Sequence, residues 1–90
     1  MIIWDTAKRK RNLHEHGIDI AQLETVFDFP MQTREDSSTA YGEQRLQSLC
    51  WFESRVVFMV WKDMKHCARI ISCRYASKYE TQTYFKSIGY

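Results

Sequence analysis

The sequence is poor in the residues that build several common functional sites. Its 90 residues include only three glycines and one proline, and no two glycines lie close together. A phosphate-binding loop needs clustered glycines, because its backbone amides must approach the phosphate closely. The Gly-x-Ser-x-Gly motif of one large hydrolase class is also missing. These absences exclude the common nucleotide-binding loop and that class of serine nucleophile.

Cysteine and histidine are too scattered to predict a metal centre. The three cysteines, Cys50, Cys67 and Cys73, contain no closely spaced pair. His14 and His16 are two residues apart on a predicted helix, so they point to different faces, and the third histidine is remote. We therefore predict buried free thiols, no metal ligands and no cofactor.

Long apolar runs are missing as well. The longest, Val56–Trp61, is the length of a strand, whereas a membrane-spanning helix needs roughly 20 apolar residues. The chain turns polar at Asp5, which is not typical of a signal peptide. The sequence predicts one domain over residues 1–90, located in the cytoplasm and not bound to a membrane.

Charge is unevenly distributed along the chain, although the net charge is only +2. Residues 21–43 carry one basic and five acidic side chains, whereas residues 44–90 carry eight basic and three acidic ones. A basic surface is typical of proteins that bind a polyanion, and an ordinary solvated surface is the alternative. The aromatic fraction of 14% can serve the core, a partner interface or stacking on bases.

The N-terminal third predicts a short strand and two helices. Ile2–Trp4 is a strand, and Asp5 caps a helix over Ala7–Glu15 that ends at Gly17. A second helix begins at Asp19, with Gln22 in the position of a capping box. Its buried face is predicted from helical spacing to contain Ile20, Leu23, Val26 and Phe27.

The rest of the chain predicts a sheet followed by a helix. The polar stretch Gln32–Gly42 is typical of a loop, and the strands that follow are predicted at Glu43–Trp51, Val56–Trp61 and Cys67–Arg74. Short connections between these strands indicate an antiparallel meander. Ser77 and Glu80 form a capping box for the last helix. The predicted fold class is α+β, with two N-terminal helices and a C-terminal helix packed on an antiparallel β-meander sheet.

The remaining polar side chains suit RNA cleavage without a metal. RNA carries its own nucleophile, the 2′-hydroxyl, so the enzyme must supply a base, an acid and cations that stabilise the phosphorane. Arginine suits the last role because its planar fork matches a pair of phosphate oxygens.

Two motifs give the chain a family resemblance. Residues 4–17 read W-D-x-x-K-x-x-x-N-x-x-x-H-G, and residues 69–84 read R-I-I-S-C-R-Y-A-x-x-x-E-x-x-x-Y. With these motifs the chain resembles the BrnT family of toxins, which share the RelE-like ribonuclease fold. The resemblance implies an RNA-cleaving toxin held inactive by an antitoxin with a ribbon-helix-helix DNA-binding domain. Operator DNA would then be bound only through that BrnA-like antitoxin.

The candidate site follows from the resemblance and from this chemistry. The candidate catalytic residues are Lys8, His16, Arg45, Arg69 and Arg74, and the candidate substrate-binding residues are Glu43 and Tyr84. Arg69 and Arg74 are five residues apart, so a regular strand would point them to opposite faces. Both can serve one site only if the strand ends or bulges near Cys73.

Each candidate also has a structural interpretation. Arg69 and Arg74 can be surface residues paired with Glu80 or Glu43, and Glu43 can pair with Arg45. Lys8 can be a solvated lysine, His16 can cap the first helix, and Tyr84 can be a packing residue. Two functions from other classes stay open beside the ribonuclease. They are a nucleic-acid-binding module without catalysis and a protein-interaction module whose aromatics serve only a partner. Incubation of the purified protein with RNA separates them, since only an enzyme yields cleavage products.

Overall fold

The computed structural model describes residues 1–36 and 44–89. Within these ranges the chain forms five strands, two α-helices and a 3-10 helix. In chain order these are β1 (Ile2–Trp4), α1 (Thr6–His16), the 3-10 helix (Ile20–Asp28), β2 (Gln32–Asp36), β3 (Arg45–Phe52), β4 (Arg55–Asp63), β5 (Ala68–Tyr75) and α2 (Lys78–Ser87). None of the helices in the described ranges is long and apolar enough to cross a membrane.

The sheet is mixed, so the predicted purely antiparallel sheet is wrong, although the fold is still α+β. Strands β3, β4 and β5 form the antiparallel meander. However, the strand order is β1-β5-β4-β3-β2, and β1 pairs with β5 in parallel. Parallel neighbours need a long connection, and here residues 5–67 separate the two strands. A three-residue strand contains no signal for the partner it selects.

Strand β2 contradicts part of the predicted loop over Gln32–Gly42. Gln32–Asp36 pairs antiparallel with β3 along its whole length. Side chains reinforce the pairing: Arg34 Nε donates to Gln47 Oε1 at 2.9 Å, and the Thr33 and Ser48 hydroxyls are hydrogen-bonded at 2.7 Å. The remainder of that prediction, residues 37–42, lies outside the described residues.

The second helix is a 3-10 helix, which changes its buried face. Ile20, Leu23 and Val26 are fully buried and recur every three residues, which matches the three residues per turn of this helix. Phe27 falls outside that stripe and is 38% exposed, so its predicted burial is wrong. The Asp19 side chain caps the helix by accepting from the backbone N–H of Ala21. The capping box predicted with Gln22 is not the arrangement found.

The other helix ends are those that the sequence predicts. Asp5 caps α1 by accepting from the N–H of Lys8 at 3.0 Å. Gly17 ends the helix in the left-handed region, with φ of 72°, where a side chain would be strained. Ser77 and Glu80 form the predicted capping box at the start of α2.

The two faces of the sheet differ in what covers them. The core face carries Ser48, Cys50 and Phe52 on β3, and it packs against the buried side of the 3-10 helix. Burial raises the pKa of the Cys50 and Cys73 thiols to about 12, so two of the three cysteines are buried free thiols as predicted. Thiols held neutral in this way are inert. The third cysteine, Cys67, is only partly buried, so its predicted burial is wrong.

The outer face carries Arg45, Gln47 and Leu49 on β3, together with the side chains paired with them. Helix α2 covers only the Leu49 end of this face, where a second apolar cluster includes Leu49, Val56 and Tyr84. Arg74 on β5, which stands opposite Phe58, is also held by α2 through Glu80, whereas Arg45 is not part of this cluster. A polar surface is therefore left beside the covered half.

A β-bulge in β5 sets which side chains reach the outer face. Ile70 pairs with Trp61, whereas Ser72 pairs with Val60, so Ile71 is an extra residue on its strand. A bulge adds one residue to the strand, so it shifts by one position the alternation of side chains between the two faces of the sheet. Arg69 and Arg74 therefore share the outer face despite their odd spacing, which meets the condition stated from the sequence.

Candidate functional site

A cleft lies between one face of α1 and the part of the sheet beside it. It has a volume of about 670 Å³. Helix α1 contributes residues at positions i, i+3, i+4, i+7 and i+8, namely Lys8, Arg11, Asn12, Glu15 and His16. The strands contribute Arg45, Ile71 and Ser72. Three of the five predicted catalytic residues, Lys8, His16 and Arg45, therefore line one cleft.

Asn12 fixes α1 against the edge of β5. Strand β1 pairs only with Ala68–Ile70, so the edge of β5 beyond Ile70 has no strand beside it in the described ranges. The Asn12 amide binds this edge in the manner of a strand: its Oδ1 accepts from Cys73 N–H, and its Nδ2 donates to Cys73 O, both at 2.9 Å. Nδ2 also donates to Ile18 O at 2.9 Å. The side chain is buried with all three bonds formed.

This anchor positions the charged residues of α1. Lys8 lies one turn before Asn12 and His16 one turn after it, on the same helix face. Arg9 points elsewhere, because its guanidinium holds Asp19 through two hydrogen bonds of 2.8 and 3.0 Å. The cleft side of α1 therefore presents Lys8, Arg11 and His16 to the sheet.

Basic residues cross the outer face in a row beside the cleft. The row consists of Arg45 on β3, Lys62 on β4 and Arg69 on β5, and Lys62 stands directly opposite Arg69. The acidic Asp36 on β2 stands directly opposite Arg45. Since adjacent strands are about 4.8 Å apart, the backbones of Arg45 and Arg69, two strands apart, lie about 10 Å from each other. Arg69 is exposed and also lies close to the start of α1.

The start of α1 provides electrostatic evidence for this placement. The Asp5 carboxylate has a lowered pKa, chiefly because it accepts the backbone N–H of Lys8, and the positive charges of Lys8 and Arg69 lower it further. Arg69 and Lys8 therefore act on the same carboxylate. At the other end of α1, His16 Nε2 lies 3.9 Å from Glu15 Oε2.

Arg74 shares the outer face but is not among the residues that line the cleft. Its guanidinium makes a two-pronged pair with Glu80, with N–O distances of 2.8 and 2.9 Å, and lies 4.4 Å from the centre of the Phe58 ring. The pair with Glu80 that the sequence left open is thus present. Arg74 lowers the pKa of Glu80 to about 2, and Glu80 in turn accepts the backbone N–H of Ser77.

Arg74→Ala is expected to lower the free energy of unfolding by about 1–2 kcal/mol, because both partners of the ion pair are partly exposed. The rate of RNA cleavage per folded molecule is expected to change little. Glu80 has its usual pKa of 4.5 when unfolded and about 2 when folded. The contribution of the ionised Glu80 to the free energy of unfolding is therefore complete above pH 4.5 and disappears as the pH falls towards 2.

Thermal unfolding and cleavage rate, measured on one preparation, check this prediction. The wild type should lose more stability than Arg74→Ala between pH 4.5 and pH 2. An unchanged melting temperature together with a large fall in rate would instead assign Arg74 to catalysis.

Tyr84, one of the two predicted substrate-binding residues, is not among the described residues that line the cleft. Tyr84 is buried in the second apolar cluster, where its hydroxyl donates to the carbonyl of Pro30 at 2.8 Å. Burial raises the pKa of that hydroxyl above its ordinary value. Glu43 lies outside the described residues.

Five residues that line the cleft were not candidates from the sequence. They are Arg11, Asn12, Glu15, Ile71 and Ser72. The first three share the helical spacing of Lys8 and His16, and that periodicity was the signal available to find them. Ser72 had no such signal, because its direction depends on the bulge at Ile71.

The arrangement suits a bound phosphodiester. Lys8, Arg11 and Arg45 supply positive charge, and His16 supplies an imidazole whose ring nitrogens can form hydrogen bonds. Within residues 1–36 and 44–89 no group of three or more His, Cys, Asp or Glu side chains is placed to hold a metal ion.

One comparison with known proteins bears on this cleft. A family model described as the ribonuclease toxin, BrnT, of type II toxin-antitoxin systems matches residues 4–80. No curated protein matches the chain. The matched range contains every residue that lines the cleft, as well as the Arg74–Glu80 pair.

Proposed function

Because the chain belongs to the BrnT family of ribonuclease toxins of type II toxin-antitoxin systems, we propose that it cleaves RNA without a metal ion in the cleft between α1 and the sheet. The observation that supports this proposal is the convergence of Lys8, His16 and Arg45 on one open volume of about 670 Å³. Arg69, in the row of basic residues beside Arg45, extends the positive surface along the path of the substrate.

The proposed reaction uses the 2′-hydroxyl of the RNA as nucleophile. A base removes its proton, the 2′-oxygen bonds to phosphorus, and the bond from phosphorus to the 5′-oxygen breaks as that oxygen takes a proton. The products are a 2′,3′-cyclic phosphate and a free 5′-hydroxyl. His16 is the proposed proton-transfer group, because its imidazole lines the same cleft as Lys8 and Arg45.

The cations of the cleft act on the charge that develops at phosphorus. The Arg45 guanidinium can bind two phosphate oxygens with its planar fork, and the Lys8 ammonium adds a point charge on the opposite wall. Both groups are carried by regular elements, and α1 is anchored by Asn12, so little reorganisation is needed during the reaction. We assign transition-state stabilisation to Arg45 and Lys8.

Excess EDTA is expected to leave RNA cleavage by the purified protein unchanged. The described residues offer no cluster of metal ligands, and the substrate supplies its own nucleophile. Analysis of the cleaved ends should find 2′,3′-cyclic phosphate. Activity that is lost in EDTA and restored by magnesium would contradict the mechanism. RNA that is bound but left intact would favour a binding module.

The family implies an antitoxin protein as partner and RNA as substrate. We propose that the antitoxin is a BrnA-like ribbon-helix-helix protein, and that operator DNA is contacted only through it. The sequence of the neighbouring reading frame checks this proposal. A neighbour without such a domain would count against it.

A further inference from the structure

A second groove lies on the outer face between α2 and the strands β2 and β3. Its volume is about 320 Å³. Leu49 and Phe58, which stand directly opposite each other in β3 and β4, contribute its apolar part. Gln47 on β3 and Tyr79 on α2 line it as well.

The groove has the chemistry of a nucleobase site. Tyr79 is a large aromatic residue left 76% exposed on the helix, and aromatic rings stack on bases of any sequence. The Gln47 amide accepts from Arg34 through Oε1, and among the described residues this is its only side-chain hydrogen bond. Its Nε2 hydrogens are therefore available to donate to a base edge, as amide side chains do in RNA recognition.

Charge in the groove does not oppose RNA. Glu80 is the acidic residue that lines it, and the two-pronged pair with Arg74 neutralises that carboxylate. Arg34 adds a positive charge at the β2 side. A polyanion can therefore run past the groove without facing an unpaired negative charge.

The groove lies next to the cleft along a single strand. Gln47 is two residues from Arg45 on β3, and both residues point to the outer face. Two residues of a strand span about 6.8 Å, which is a suitable separation between a phosphate held at Arg45 and a neighbouring base. An RNA strand leaving the cleft along β3 would reach Gln47 next.

We propose that this groove binds a base of the RNA substrate beside the cleaved phosphate and thereby sets a base preference. Tyr79 stacks on the base, and Gln47 reads its edge. This inference rests on the proposed ribonuclease function, since it takes the strand at the cleft to be RNA.

Binding of an uncleavable RNA tests the groove apart from catalysis. The probe is a short single-stranded RNA with 2′-deoxy substitution at the cleavage site, which removes the nucleophile. Tyr79→Ala is expected to weaken binding by about 10- to 100-fold, as the loss of one stacked base does, whereas Tyr79→Phe should bind as the wild type does. Gln82→Ala, an exposed change on the same helix that does not line the groove, is the matched control.

Cleavage assays add a second readout. With RNAs that differ only in the bases beside the cut, Tyr79→Ala should raise KM and leave kcat close to that of the wild type. Gln47→Ala should reduce the difference in kcat/KM between bases. Equal affinity, KM and base discrimination in the wild type and both variants would overturn the inference.

Two further outcomes separate the possible failures. If the wild type neither binds nor cleaves RNA, the proposed function and the base site fail together. If the wild type cleaves RNA and Tyr79→Ala loses only its affinity for the antitoxin, the groove is a protein-docking site and the base site is overturned. If the wild type cleaves RNA and both variants bind and cleave RNA as the wild type does, the base site is overturned and the proposed function stands.

Discussion

Arg45→Ala is expected to lower kcat for RNA cleavage by about 10²–10³, the usual effect of removing one preorganised donor from a transition state. Arg45 lies at the start of β3, where it points to the outer face and lines the cleft opposite α1. Its Nε atom is buried, so the stem of the side chain is held within the fold. The measurement is single-turnover cleavage of a short RNA by protein whose folded fraction is known from circular dichroism.

Two further variants make this result specific. Arg45→Lys should recover only part of the rate, because an ammonium keeps the charge but not the paired geometry. Arg55→Ala is the matched control, since Arg55 is an exposed arginine at the start of the adjacent strand, where it stacks on Tyr75 at 3.7 Å. Full activity in folded Arg45→Ala would remove Arg45 from the proposed mechanism.

Asn12→Ala is expected to cost about 3 kcal/mol of folding free energy or more. The change leaves the N–H and C=O of Cys73 and the C=O of Ile18 without their buried partner, and each such group costs about 1–3 kcal/mol. For a chain of this size each kcal/mol shifts the melting temperature by about 4–8 °C. Calorimetry or thermal circular dichroism provides the measurement.

The control for this change is on the same helix. Leu13 is 50% exposed, so Leu13→Ala should remain within about 0.5 kcal/mol of the wild type. Asn12→Asp keeps the acceptor for Cys73 N–H but places a carboxylate against two carbonyls, and it should be no more stable than the alanine variant. If Asn12→Ala melts with the wild type, Asn12 is not the anchor of α1.

The features that could be predicted from sequence are those encoded within a few residues. Asp5 and Gly17 bound the first helix because a cap acts on the next turn and a left-handed residue ends the previous one. The capping box at Ser77 and Glu80 is equally local. Strands β3, β4 and β5 were predicted to within two residues, because their apolar runs are separated by short turns.

The two outer strands could not be predicted in the same way. β2 is polar and almost wholly exposed, so it lacks the alternation that indicates a strand. It becomes a strand because β3 offers an edge with matching partners such as Ser48 and Gln47. β1 was predicted as a strand, but its parallel pairing with β5 depends on contacts across the whole chain.

The candidate site was predictable in its chemistry and only partly in its geometry. Lys8 and His16 share a helix face, and their common side follows from sequence spacing alone. The approach of Arg45 to that helix depends on sheet order, which no local pattern contains. The 3-10 geometry of Ile20–Asp28 could not be predicted from residue spacing either, because periods of 3.0 and 3.6 residues are hard to distinguish over a short segment.

Because of the bulge at Ile71, the direction of the side chains on β5 depends more on the number of residues in the strand than on their identity. With one residue fewer between Ile70 and Ser72, the strand would pair regularly, and every position on one side of the deletion would exchange faces. Arg69 would then turn towards the apolar interior beneath the 3-10 helix, where an unpaired guanidinium is very costly. Substitution of Ile71 by another apolar residue leaves Arg69 and Arg74 on the same face, whereas deletion of the residue places them on opposite faces. The number of residues between Arg69 and Arg74 is thus constrained. An alignment of related chains should show neither insertions nor deletions between these two positions.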